Sequence, residues 1–149
     1  MTYLHQNAAL PDPRYEAQFY AGVPTKRAIA WVLDVVAITA LTVLAGILTL
    51  TLAWWLWPLA YLTIGLIYRI GTLASGSATP GMRLMGIELR GADGHRLDGV
   101  QATLHVAGYY ATMAFFLPVL ASIATILATP QRQSLTDLVL GTAAINRPG

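Results

Sequence analysis

Hydrophobic positions dominate this chain in three long blocks, separated by short polar segments rich in glycine and proline. From Ala28 to Tyr68 the only charged side chain is Asp34. At 1.5 Å per residue these roughly 41 residues make about 60 Å of helix, close to two crossings of a ~30 Å hydrocarbon layer. Trp54, Trp55, Trp57 and Pro58 mark the turnaround, because indoles favour the bilayer interface and proline is tolerated at a helix start. The pattern predicts spans at about 27–50 and 57–74.

A third apolar block, about 103–128, is divided by Pro118 into pieces of roughly 15 and 10 residues, neither of which crosses alone. Two topologies follow: one kinked crossing, or an interfacial helix with a re-entrant segment that brings the C-terminus back. Between the second and third blocks lies a loop, 75–102, that Ser75, Gly76, Ser77, Thr79, Pro80 and Gly81 open by breaking the helix. Asp93-Gly94 between short extended flanks predicts a small β-hairpin there, outside the membrane, with 142–146 as a partner for its free edge.

The expected fold is an all-α membrane protein: two long transmembrane helices, a third kinked or re-entrant apolar helix, and a short cytoplasmic β-hairpin. Residues 1–19 are expected as a mobile tail, 20–146 as one membrane domain, and 147–149 as a second tail. Phe19 to Gly22 is placed in the headgroup layer. The polar, proline-bearing start does not resemble a secretory signal.

Composition agrees: 56% of residues are hydrophobic and 11% charged, with a mean hydropathy of +0.57, against a globular average of about a quarter charged. The net charge of +2 does not predict a nucleic-acid partner, since the basic residues are scattered at span boundaries. Arg14, Lys26, Arg27, Arg69, Arg83, Arg90 and Arg96 fall on the side of the N-terminal segment and central loop, which predicts that side to be cytoplasmic. The absence of cysteine removes disulfides, thiolate metal sites and cysteine nucleophiles. His5, His95 and His105 lack metal-ligand spacing. No cofactor, metal or enzymatic activity is predicted.

Three patches carry a resemblance. Lys26-Arg27 precedes the first span, which contains Asp34; Ala78-Thr79-Pro80-Gly81-Met82-Arg83-Leu84-Met85-Gly86 follows the second; Arg132-Gln133-Ser134-Leu135-Thr136-Asp137 runs into Leu140-Gly141-Thr142. Together, in that order, they resemble the RDD family of small bacterial membrane proteins, with Arg27, Asp34 and Asp137 in the places of its namesake arginine and aspartates. Met82 and Leu104-His105 depart from the pattern, at places where relatives often have lysine and arginine. The resemblance implies a bacterial cytoplasmic (inner) membrane protein of largely unassigned role, with transport of small solutes suggested and cation/proton exchange proposed for some members.

A carboxylate in a span needs company. Arg27, seven residues before Asp34 and about 10 Å away along the helix, is expected to snorkel to the headgroups. Arg69, at comparable depth on the antiparallel second helix, is the expected partner of Asp34, with His105 a further candidate. The predicted site is a polar cluster of Arg27, Asp34, Arg69 and Asp137, with Thr79, Pro80 and Gly81 as a loop motif that lacks the long glycine-rich form, with Lys and Ser/Thr, of a nucleotide-binding loop. Asp137 also fits a plain helix cap after Ser134. Two functions are consistent with the cluster: exchange of a small solute, cation or proton, or interhelical fastening in a non-transporting accessory or scaffold subunit that binds a protein partner. Besides the lipid bilayer, the expected partners are a second copy, through the small residues Ala37, Ala40, Ala45 and Gly46, or another membrane protein.

Overall fold

The computed structural model describes residues 10–148. A 3-10 turn, Ala17–Phe19, leads into α1 (Val23–Leu48), which starts after a left-handed Gly22 (φ 70°) with Pro24 in its first turn. Pro24 costs nothing there, because the first N–H groups of a helix have no partner. Leu50 and Thr51 both take positive φ and reverse the chain. The single turn α2 (Leu52–Trp55) then delivers it to α3 (Trp57–Gly76), antiparallel to α1 and again with proline in its first turn. Trp54 folds back on α1, donating its indole N–H to the Val43 carbonyl at 3.2 Å. Gly46 makes this possible, since a Cβ there would lie 1.6 Å from the Trp54 indole nitrogen. The small patch expected to receive a second copy is thus filled, at Gly46, by the chain's own tryptophan.

Ser77, in the left-handed region, ends α3. A short helix α4 (Pro80–Leu84) and strand β1 (Ile87–Arg90) follow. The predicted hairpin needs correcting. Asp93 and Gly94 do turn the chain, but the return contributes only one bridge, Arg90 to Arg96. The full partner of β1 is β2 (Ala143–Asn146), antiparallel with Ile87 opposite Asn146 and Arg90 opposite Ala143. Ser77 ties the hairpin to the sheet: its hydroxyl donates to the Leu89 carbonyl and accepts from the Leu97 N–H.

The third apolar block becomes two helices, α5 (Gly99–Met113) and α6 (Phe116–Ala128), bent by 119° from each other. The break falls at Ala114-Phe115, upstream of Pro118, because a proline ring collides with the carbonyl four residues earlier and leaves that carbonyl without its helical partner. Asp98 and Gln101 form a capping box at the start of α5. After α6, α7 (Leu135–Leu140) is capped by Ser134 and closed by Gly141 with φ 73°. The bend returns the chain to the end of the bundle from which α1 starts, where Lys26 reaches Asn146 at 2.6 Å. The C-terminal strand and the start of α1 therefore share one end of the bundle.

α1 with its preceding turn, and α3, are long and apolar enough to cross a membrane; the bent pair raises the number to three if it is taken as one span. The buried core sits at the sheet-bearing end, where Val23, Ala30, Leu73, Ile87, Leu89, Ala102, Val106 and Ala144 pack together. The N-terminal segment is another correction. Leu10 and Tyr20 are buried against Ala143 and Ile145, and the Tyr20 hydroxyl donates to the Pro11 carbonyl at 2.7 Å. Leu10, Phe19 and Tyr20 therefore pack on β2 while residues 14–18 between them stay exposed, so this stretch is held at both ends instead of forming a free tail. The rest of the expected tail, residues 1–9, lies outside the described residues.

Candidate functional site

Asp34 lies 11 residues into α1, about 17 Å from its start at 1.5 Å per residue. Its side chain is buried, and the groups that meet it are all donors. The Tyr68 hydroxyl donates to Oδ1 at 2.8 Å, the Gly81 N–H to Oδ1 at 2.9 Å, and the Thr79 hydroxyl to Oδ2 at 2.5 Å. Thr79 also caps α4, accepting from the Met82 N–H. One carboxylate thereby joins α1 to α3 and to the start of α4. The contact requires glycine at position 81, because a Cβ would stand 2.3 Å from the Ala30 carbonyl oxygen and 2.8 Å from Asp34 Oδ1. The loop motif Thr79-Pro80-Gly81 thus has an internal carboxylate as its anion.

The expected Asp34–Arg69 pair does not form. Successive residues on a helix point about 100° apart, so with Tyr68 turned towards Asp34 the next residue faces elsewhere. Arg69 faces α5, its guanidinium carbon 4.4 Å from the centre of the Tyr109 ring. It is buried, and its Nε has no hydrogen-bond partner.

Asp137 is fully buried and meets the namesake arginine, Arg27, but not Asp34. Arg27 donates to Oδ2 at 2.7 Å, the Ser134 N–H donates to Oδ2 at 3.0 Å, and the Thr142 hydroxyl donates to Oδ1 at 2.7 Å. The His105 ring meets Oδ1 through Nε2 at 2.8 Å. Asp137 lies outside the spans. Burial would push its carboxyl up, but the Arg27 guanidinium, the His105 ring and the Ser134 N–H together hold it well below the usual carboxylate range. Arg27 is therefore an ion-pair partner and not a headgroup anchor. His105 serves Asp137, not Asp34. Asp137 fills both roles read from the sequence, as helix cap and as cluster member.

The RDD family model matches residues 21–141. The chain belongs to the RDD family. Comparison with curated proteins and with solved structures yields no match. In this RDD protein the arginine and the second aspartate of the signature are in direct contact, while the first aspartate is held separately by Tyr68, Thr79 and Gly81.

A third buried acid escaped the sequence reading. Glu88, on β1, is enclosed and ion-paired with Arg90, with Arg96 at 3.5 Å and with Arg147 at 3.2 Å. Alternation along a four-residue strand was too short a signal to show that Glu88 faces inward, and Arg147 follows the distant strand β2. Tyr68 carried a weak signal, being a polar tip on the span opposite Asp34. Thr142 and Ser134 flank Asp137 closely enough in sequence to be named as its neighbours.

Proposed function

We propose that this RDD protein is a non-transporting, non-enzymatic membrane module, an accessory or scaffold subunit in which the signature residues are internal fasteners. The supporting observation is that every oxygen of Asp34 and Asp137 is already engaged by the protein's own donors from two or more segments. A carboxylate that carries protons or cations must release such partners in each cycle, and here each release would loosen α1 from α3 and α4, or α7 from α1. The module sits in the bacterial cytoplasmic membrane with its sheet-bearing end in the cytoplasm. The distribution of basic residues supports this orientation: all except Arg69 lie in segments at or next to that end, since Arg132 and Arg147 are returned there by the α5–α6 bend.

A second reading, exchange of a small solute or ion through the bundle, draws support from Arg69, a cation buried among the helices without an ion pair. Reconstitution into vesicles loaded with a pH-sensitive dye separates the two. The fastener reading expects no cation-driven proton flux from the wild type and a less stable, protease-sensitive Asp34→Asn protein. Flux that Asp34→Asn abolishes while the fold persists would establish exchange instead.

A further inference from the structure

Among the described residues Arg69 is the one arginine or lysine placed deep in the bundle, and its chemistry is incompletely used. It lies seven residues before the end of α3, about 10 Å inside that end. Only 8% of its surface is exposed. The face of its guanidinium is covered by Tyr109 at 4.4 Å, and Tyr109 is fixed in turn, its hydroxyl accepting the Trp31 indole N–H at 2.7 Å. Tyr110 packs edge-on against Tyr109 with ring centres 5.1 Å apart. Its hydroxyl occupies the notch left by Gly65, one turn before Arg69, where a Cβ would come within 2.3 Å of it. Tyr109 thus covers the guanidinium by its face and the Tyr110 hydroxyl meets one of its nitrogens, and the Nε side of its edge is left for something else. The buried Nε donates to nothing, and among the described residues no carboxylate comes within ion-pair distance.

A planar fork of N–H donors, desolvated and fixed by stacking, is the arrangement that recognises an oxyanion, because two parallel N–H groups match two oxygens of one phosphate or carboxylate. The Tyr109 hydroxyl, which accepts from Trp31, keeps its own O–H to donate to the same ligand class. We propose that Arg69, with Trp31, Tyr109 and Tyr110, forms an oxyanion-binding site between α1, α3 and α5 that takes a phosphate group, from a lipid headgroup or from a free anion. The site is independent of whether Asp34 and Asp137 act as fasteners.

Ligand that binds only the folded state raises the melting temperature as its concentration exceeds the dissociation constant. The protein in a detergent without phosphate is melted with increasing inorganic phosphate, with short-chain phosphatidylglycerol, and with short-chain diacylglycerol as the phosphate-free control. A saturable rise with phosphatidylglycerol alone identifies a lipid site, and a rise with inorganic phosphate identifies a free-anion site. Either supports the proposal if Arg69→Gln weakens the response by roughly tenfold to a hundredfold, the usual effect of removing a hydrogen-bonded charge. Arg69→Lys keeps the charge without the fork and is expected to fold and respond more weakly than wild type, so the test survives an unfolded Arg69→Gln. A wild type insensitive to both phosphate probes, or a response that both variants retain in full, overturns it. So does an Arg69→Gln stability loss restored by Asp34→Asn in a protein that ignores the probes, since Arg69 would then be a distant counter-charge.

Discussion

Arg27 and Asp137 are 110 residues apart in the chain, yet their side chains meet at 2.7 Å. That contact closes the fold. It draws α7 and β2 against the start of α1, and places on one end the pieces that a straight third crossing would have separated by the thickness of a membrane.

The closure sets an acid limit on stability. Asp137 titrates below its unfolded value, which is near 3.8, so its contribution is complete above that value and disappears as pH falls through the lower folded value. Thermal unfolding in detergent should lose stability progressively below about pH 4, and Asp137→Asn should start less stable and show a flatter acid limb. An unchanged slope in the variant would remove Asp137 from the account.

The approach of the loop to α1 leaves no room for a methyl group at position 81. Gly81→Ala should destabilise by about 1–3 kcal/mol, the usual range for overpacking against backbone. Gly71→Ala, where nothing lies within 4 Å of the added carbon, is the matched control. Melting temperatures of the two variants check the contrast.

Glu88 gathers Arg90 from β1, Arg96 from the hairpin return and Arg147 from just past β2. Glu88→Ala leaves them facing one another and should weaken the sheet by about 1–3 kcal/mol. Faster amide exchange at 143–146, with α1 and α3 amides unaffected, is the expected pattern.

The two spans were legible because an apolar run with tryptophans at its middle admits few other readings. The break in the third block was legible too, since Pro118 stands inside it. What the sequence concealed is which polar side chains meet. Asp34 selects Tyr68 over Arg69 because of a 100° step on α3, and the pairing of Arg27 with Asp137 depends on the α5–α6 bend, whose angle is not written in composition. The β1–β2 pairing was anticipated as a partner for a hairpin edge. The hairpin itself contributes one bridge because Arg96 and Leu97 leave the strand direction at once to enter α5.

Topology follows from the same bend. The chain has no cysteine, so Asp93→Cys and Pro148→Cys each give a single thiol at an exposed position. Both should react with a membrane-impermeant maleimide from the same side, and in cells only after permeabilisation. Labelling from opposite sides would contradict the re-entrant arrangement.

The central claim, that the buried aspartates fasten segments together, is tested most directly by a double-mutant cycle between Asp34 and Thr79. Unfolding free energies of the wild type, Asp34→Asn, Thr79→Val and the double variant in detergent give the coupling between carboxylate and hydroxyl. The account predicts a coupling of about 1 kcal/mol or more, with the double variant less destabilised than the sum of the singles. Strict additivity, with Asp34→Asn as stable as the wild type, would contradict it.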